Sequence, residues 1–311
     1  MKLAEAVEIQ ITRKQSVGCR YHDEAYLLRI FSRQCGNVEL REVTPAAVKL
    51  FIDNGRSANA RRKRHYLLRL FYDYWVVRGE VPSSPLPVAI AKVPETFTPY
   101  VYTRAEIRKL LDATSLSQQQ GWCVMSAATF RTLLLFLYGT GLRLGEALRL
   151  DCQDLDSGTA VLRVKQTKFY KSRLVPVGPE LRQILAQHLS QKAENSSCRK
   201  LFQSESCEPI QVQNVSKSFQ RLRQHAGIAR HDFTTYQPRV HDLRHTFAVH
   251  RLVAWYQQGK DVQRLLPALS TYLGHVNMAS TQRYLTMTPE LLQQASERFE
   301  RYAFGGQQHG R

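Results

Sequence analysis

The sequence predicts a mainly α-helical fold with a small β-hairpin or sheet, divided into a helical N-terminal domain and a mixed α/β domain. Three observations carry that expectation. Apolar residues recur at three-to-four spacing through most of the chain. Two short β-branched stretches, residues 160–164 and 173–177, interrupt that period and flank a polar segment, as a hairpin would. Residues 81–100 hold five prolines (Pro82, Pro85, Pro87, Pro94, Pro99) and no helical period, which marks a semi-rigid linker. The expected division is 1–90, a linker at 91–100, and 101–311.

In the N-terminal part, Tyr26, Leu27, Ile30 and Phe31 mark one helix. Thr44 followed by Pro45 forms an N-cap and first-turn pair for a second, running through Phe51 and Ile52. A third starts near Asn59, with Leu67, Leu70, Phe71, Tyr74 and Trp75 as its apolar side. Its first turn holds Arg61, Arg62, Lys63 and Arg64. Cations there oppose the helix dipole, so phosphate contact explains them better than local stability, with a solvated cationic face as the alternative. Beyond the linker, Thr103 and Glu106 form a capping box. Residues 130–138 read as a buried helix, and helices return between 212 and 299. A last helix, about 289–302, carries Leu291, Leu292, Ala295 and Phe299 on one stripe.

Lysine and arginine outnumber acids 44 to 26, for a formal charge of +18 in 311 residues. A charge of that size repels itself in a compact state, and a polyanionic partner relieves it. No apolar run reaches membrane-spanning length, and no export signal is present, so a cytoplasmic protein is expected and a membrane partner is not. The six cysteines form no C-x-x-C pair and read as reduced thiols.

Four stretches hold chemistry. They are Gly139-Thr-Gly-Leu-Arg143-Leu-Gly-Glu146, the hairpin with Lys165, Lys168 and Lys171, His241-Asp-Leu-Arg244-His245, and Leu273-Gly-His275 followed nine residues later by Tyr284. Attack on a phosphodiester builds charge on its non-bridging oxygens, which two arginines clamp through bidentate forks. One such preorganised donor is typically worth about 10²–10³ in rate. A phenol of pKa about 10 is a weak nucleophile and needs a base or a neighbouring cation. The departing alkoxide needs a proton donor. Arg, Arg, His, His, Lys and Tyr supply every function without a metal or cofactor.

These motifs resemble those of the tyrosine recombinase, or phage integrase, family. The boxes match G-T-G-L-R-x-x-E, H-x-L-R-H, and L-G-H with tyrosine nine residues on, and K-x-x-K-x-R-x-V-P matches the family's hairpin. The likeness spans about 101–292, and the N-terminal part resembles a core-binding domain in layout. The resemblance implies that Arg143, Lys168, His241, Arg244, His275 and Tyr284 take the six catalytic places. Arg143 and Arg244 would hold the scissile phosphate, His241 would exchange a proton with the tyrosine, and His275 would donate to the phosphate. Lys168 would protonate the leaving 5′ oxygen, with Lys165 and Lys171 as close alternatives and further DNA contacts. Tyr284 would become joined to the 3′ phosphate, and Glu146 would orient the cluster. The implied partners are double-stranded DNA at inverted-repeat sites and three further copies in a synaptic tetramer, on the nucleoid. The last helix would dock on a neighbouring subunit. One departure is the thirty residues between Arg244 and His275, longer than in compact members.

Two other readings remain open at this level. A non-catalytic DNA-binding protein on a recombinase scaffold fits the charge but has no use for Tyr284. A zinc hydrolase could use His241, His245, His250 and His275, but Arg244 would set a cation beside the metal.

Overall fold

The computed structural model describes residues 1–87, 99–119, 121, 123–156, 158–165, 172–193, 199–232, 236–275 and 277–286, with single positions 293 and 296. The chain divides into two compact units, Met1–Glu95 and Thr96–Arg311. The fold class is the expected one: helices throughout, and one small sheet in the second unit.

The first unit holds α1 (Leu3–Ser16), α2 (His22–Cys35), α3 (Pro45–Asp53) and α4 (Ala58–Val77). Thr44 accepts from Ala47 N and Ser57 from Ala60 N, so α3 and α4 begin on side-chain caps. Their core contains Leu28, Phe31, Phe51, Leu68, Phe71 and Tyr72, all fully buried. Helix α1 lay outside the sequence reading, although Leu3, Ala6, Val7 and Ile11 bury one face. Two stripes are also rotated from expectation. Tyr26 is 62% exposed and Leu70 40% exposed, while Leu28, Leu68 and Tyr72 turn inward. Consecutive aromatic and aliphatic residues leave the facing side ambiguous, and packing against the neighbouring helices decides it.

The second unit holds α5 (Arg104–Asp112), α6 (Thr114–Ser117), α7 (Ala127–Thr140), α8 (Leu144–Ala147), α9 (Pro179–Ala193), α10 (Val212–His225), α11 (Asp242–Gln257), α12 (Val262–Leu273) and α13 (Ala279–Gln282). Thr103 and Glu106 cap α5 reciprocally. Strands β2 (Val161–Val164) and β3 (Arg173–Pro176) form the expected antiparallel hairpin, with Leu162 opposite Val175 and Val164 opposite Arg173. A further strand, β1 (Leu155–Asp156), pairs with β2 in the order β1-β2-β3; two residues are too short for a periodic signal. Alternation turns Val175 and Arg173 inward and leaves Leu174 65% exposed.

Cys19, Cys35 and Cys123 are free thiols, but Cys207 is disulfide-bonded, which corrects the expectation of reduced thiols throughout. Spacing along the chain does not report which sulfurs a loop brings within bonding distance. Among the described residues no helix is long and apolar enough to cross a membrane. The helix expected near 289–302 lies outside the described residues, apart from positions 293 and 296.

Helix α7 ends at Gly141 in the left-handed region, φ +61°, where an added Cβ would stand 2.4 Å from Phe247 Cδ1 and 3.0 Å from Leu273 Cδ2. That glycine lets α7, α11 and α12 meet closely. Gly141→Ala is expected to destabilise the second unit by about 2–5 kcal/mol, from left-handed strain plus overpacking. Urea unfolding of the full chain checks this, and a variant as stable as wild type would contradict the packing described.

Candidate active site

The loop after α7 places Arg143 as the N-terminal cap of α8. Its backbone N–H donates to Glu146 Oε2 at 3.1 Å and its Nη1 to Oε1 at 2.9 Å. Arg173, arriving from β3, donates through Nη2 to Glu146 Oε2 at 2.8 Å. Glu146 therefore sits buried between two guanidiniums. Burial alone would raise its pKa, but Arg173 and then Arg143 outweigh that and hold it at about 2.

The same arginines converge on the end of α12. Arg173 Nε donates to Tyr272 O at 2.9 Å, Arg244 Nη2 to Leu273 O at 2.7 Å and Arg143 Nη2 to Gly274 O at 3.2 Å. Arg244 also donates through Nη1 to Gly141 O at 2.7 Å. Burial lowers the Arg244 pKa to about 10, which leaves it cationic at neutral pH. Gly274 closes α12 at φ +68°, and a Cβ there would stand 2.9 Å from Arg173 Nη1, so only glycine admits the arginine so close.

His275 follows, with Nδ1 2.7 Å from the hydroxyl of fully buried Thr281 on α13. Tyr284, in the 3₁₀ turn Arg283–Thr286, packs with Phe247, Leu252 and Leu269 and is only 2% exposed. Its hydroxyl lies 3.2 Å from His245 Nδ1 and also interacts with Arg244. Burial raises the phenol pKa, and Arg244 opposes that rise. The His275 ring stacks beside Tyr284 at 6.0 Å, and the His241 ring meets His245 edge-on at 5.1 Å. Burial, followed by nearby cations, lowers His241 and His275 to about 4. The histidines are thus neutral donors and acceptors among permanently charged arginines.

Five of the six residues singled out as a catalytic set are brought together: Arg143, His241, Arg244, His275 and Tyr284. Lys168 and Lys171 lie outside the described residues. Lys165 sits at the end of β2 with Nζ 2.7 Å from Asp154 Oδ1, an ion pair that ties the hairpin to the preceding turn. In α4, Arg61 and Arg62 are exposed. Arg64 donates to Phe51 O at 2.6 Å and covers the Phe51 ring, while Lys63 lies 3.5 Å from Asp23. Sequence reasoning missed Arg173 and His245 as members of the cluster. The inward register of β3 signals the first, and the position of His245 one residue after Arg244 signals the second.

Glu146→Ala removes the one carboxylate between two guanidiniums. A loss of about 3–5 kcal/mol is expected at neutral pH, as for other broken buried pairs. Because the folded pKa is depressed, this contribution is present above the unfolded carboxyl value of about 4.3 and is lost as pH falls through about 2. The gap between wild-type and variant unfolding curves should therefore be smaller at pH 3 than at pH 7; a gap that is unchanged or wider at pH 3 would contradict this charge assignment.

The model of the phage integrase family matches residues 101–290. A Sinorhizobium fredii protein named as an integrase/recombinase is 34% identical over 301 residues, covering 95% of each chain. Tyrosine recombinase XerC of Staphylococcus saprophyticus is 27% identical over 279 residues, covering 88% of this chain and 86% of that one. Among solved structures, the integrase of transposon Tn1549 in complex with transposon right-end DNA superposes with a TM-score of 0.69 at 18% identity, covering 97% of this chain and all of that one. The λ integrase dimer bound to a core site gives 0.64 at 17% identity, covering 92% and 78%. The chain belongs to the phage integrase family of tyrosine recombinases.

Proposed function

We propose that the chain cuts and rejoins DNA at specific sites by joining Tyr284 to a 3′ phosphate. The observation that carries this reading is the placement of the Tyr284 hydroxyl. Segments far apart in sequence bring Arg244 and His245 to it, with His275 and Arg143 in the same cluster. Arg143 and Arg244 would clamp the non-bridging oxygens with the N–H groups their backbone partners leave over. His275, fixed through Nδ1 by Thr281, keeps Nε2 to offer the phosphate. Lys168 would protonate the 5′ oxygen as it leaves; the family resemblance gives the proton exchange with the tyrosine to His241, whose ring meets that of His245 beside the Tyr284 hydroxyl. The phosphodiester energy stays in the protein–DNA bond, so rejoining needs no ATP.

The partner in this reading is double-stranded DNA carrying inverted repeats. A formal charge of +18 supports it, as do Arg61 and Arg62, exposed at the start of α4. Lys63, Arg64, Lys165 and Lys171 would add to the grip, the first three after leaving or sharing their present contacts. Exchange between two duplexes needs four active sites, and a λ integrase tetramer has been solved on a Holliday junction, with a TM-score of 0.65 at 16% identity. A homotetramer on DNA, acting on the nucleoid in the cytoplasm, follows for this chain as part of the proposal.

The test uses duplexes selected from a random-sequence library by the wild-type protein and rebuilt as nicked suicide substrates. Tyr284→Phe removes one oxygen and is expected to bind the selected duplex as wild type does while forming no protease-sensitive, slow-migrating adduct. An adduct that persists in Tyr284→Phe would overturn the nucleophile. No adduct with wild type on any selected duplex would favour the non-catalytic DNA-binding reading.

A further inference from the structure

A phenol needs a base to attack phosphorus, and the geometry sets one histidine directly against it. His245 Nδ1 lies 3.2 Å from the Tyr284 hydroxyl, with the two rings 5.6 Å apart at 54°. The other two histidines are engaged differently. His241 meets the His245 ring edge-on, and His275 directs Nδ1 to Thr281 Oγ1 at 2.7 Å. We propose that His245 takes the phenolic proton of Tyr284 as the hydroxyl attacks phosphorus. The proposal rests on Tyr284 being the nucleophile.

The step balances without a cofactor. The Tyr284 O–H bond breaks and its proton passes to His245 Nδ1, while the Oη–P bond forms and the P–O5′ bond breaks. The 5′ oxygen receives a different proton, from Lys168 in the reading above. On rejoining, a 5′ hydroxyl attacks phosphorus and the imidazolium returns its proton to the departing phenolate. Acceptance through Nδ1 requires the tautomer that carries its hydrogen on Nε2.

The surroundings suit a base that acts only with DNA in place. Burial, then His241, Arg244, Arg239 and His275, hold the imidazole neutral, with its pKa lowered to about 3. It therefore waits in the form that accepts a proton. A phosphate entering between Arg143 and Arg244 offsets the cations that depress its basicity, so proton affinity rises as substrate arrives. His245 also begins the second turn of α11, one residue after Arg244, so the phosphate clamp and the base share one rigid element.

The experiment compares wild type, His245→Ala and His245→Asn on the selected suicide duplex, made with a normal 5′ oxygen or a 5′-bridging sulfur. Asparagine keeps an acceptor near the Nδ1 position but is no base. Both variants are expected to bind the duplex normally and to form adduct about 10²–10⁴-fold more slowly. The sulfur leaving group, which needs no proton, should not restore them, because the missing step lies on the nucleophile's side. A rate within about threefold of wild type for either variant, or recovery on the sulfur substrate, would overturn the proposal. A second measurement needs no DNA: the ¹⁵N resonance of His245 Nδ1 should shift on Tyr284→Phe, and an unmoved resonance would count against the contact. Absence of any wild-type adduct would remove the Tyr284 reading and this proposal together. An adduct in wild type with full-rate His245 variants would remove this proposal alone.

Discussion

Three arginines close the end of one helix, and the candidate active site is built on that closure. Tyr272, Leu273 and Gly274 present consecutive carbonyls at the end of α12, and these accept from Arg173, Arg244 and Arg143 respectively. A helix C-terminus leaves its last carbonyls without intrahelical partners and carries partial negative charge, so guanidiniums are favoured there. Each comes from a different element: β3, α11 and the turn into α8. The contact therefore joins the hairpin, the second arginine motif and the first into one unit, and orients the side chains before any phosphate arrives. Donors held in place beforehand need no reorganisation at the moment of reaction, which is the general source of their catalytic value.

That arrangement concentrates like charge, and Glu146 is what makes it tolerable. Its carboxylate takes Arg143 and Arg173 together, while Arg244 donates to the carbonyls of Gly141 and Leu273 and meets the Tyr284 hydroxyl. Three guanidiniums against one carboxylate leave the cluster cationic, and a phosphodiester is the anion that suits it. The histidines add no charge, because burial keeps them neutral. Fixed positive charge thus resides on the arginines, while the neutral histidines keep the capacity to exchange a proton.

Much of this was legible in the sequence, for identifiable reasons. Capping at Thr44 and Thr103 depends on neighbours in the chain, and both caps form as read. The hairpin partners also lie close in sequence and carry a period of two. The boxes around Arg143, Arg244 and Tyr284 were found because their chemistry is written in residue types at fixed spacing. What was not legible depends on contacts between distant segments. The inward stripe of α4 was misplaced around Leu70 because Leu67, Leu68, Leu70 and Phe71 leave the facing side to tertiary packing. Arg173 and His245 were visible as letters in the motifs. Their partners, Glu146 and Tyr284, are 27 and 39 residues away, and no local pattern announces such pairs.

The central claim is that this cluster exists to place one phenol against one phosphate. The most direct measurement is the identity of the residue that carries DNA. Wild-type protein trapped on a suicide duplex, digested with nuclease and protease, yields a peptide bearing a nucleotide, which tandem mass spectrometry assigns to a single side chain. The account predicts a nucleotide 3′-phosphate on Tyr284, in the peptide that follows His275. A nucleotide on any other side chain, or a 5′ linkage at Tyr284, would contradict it.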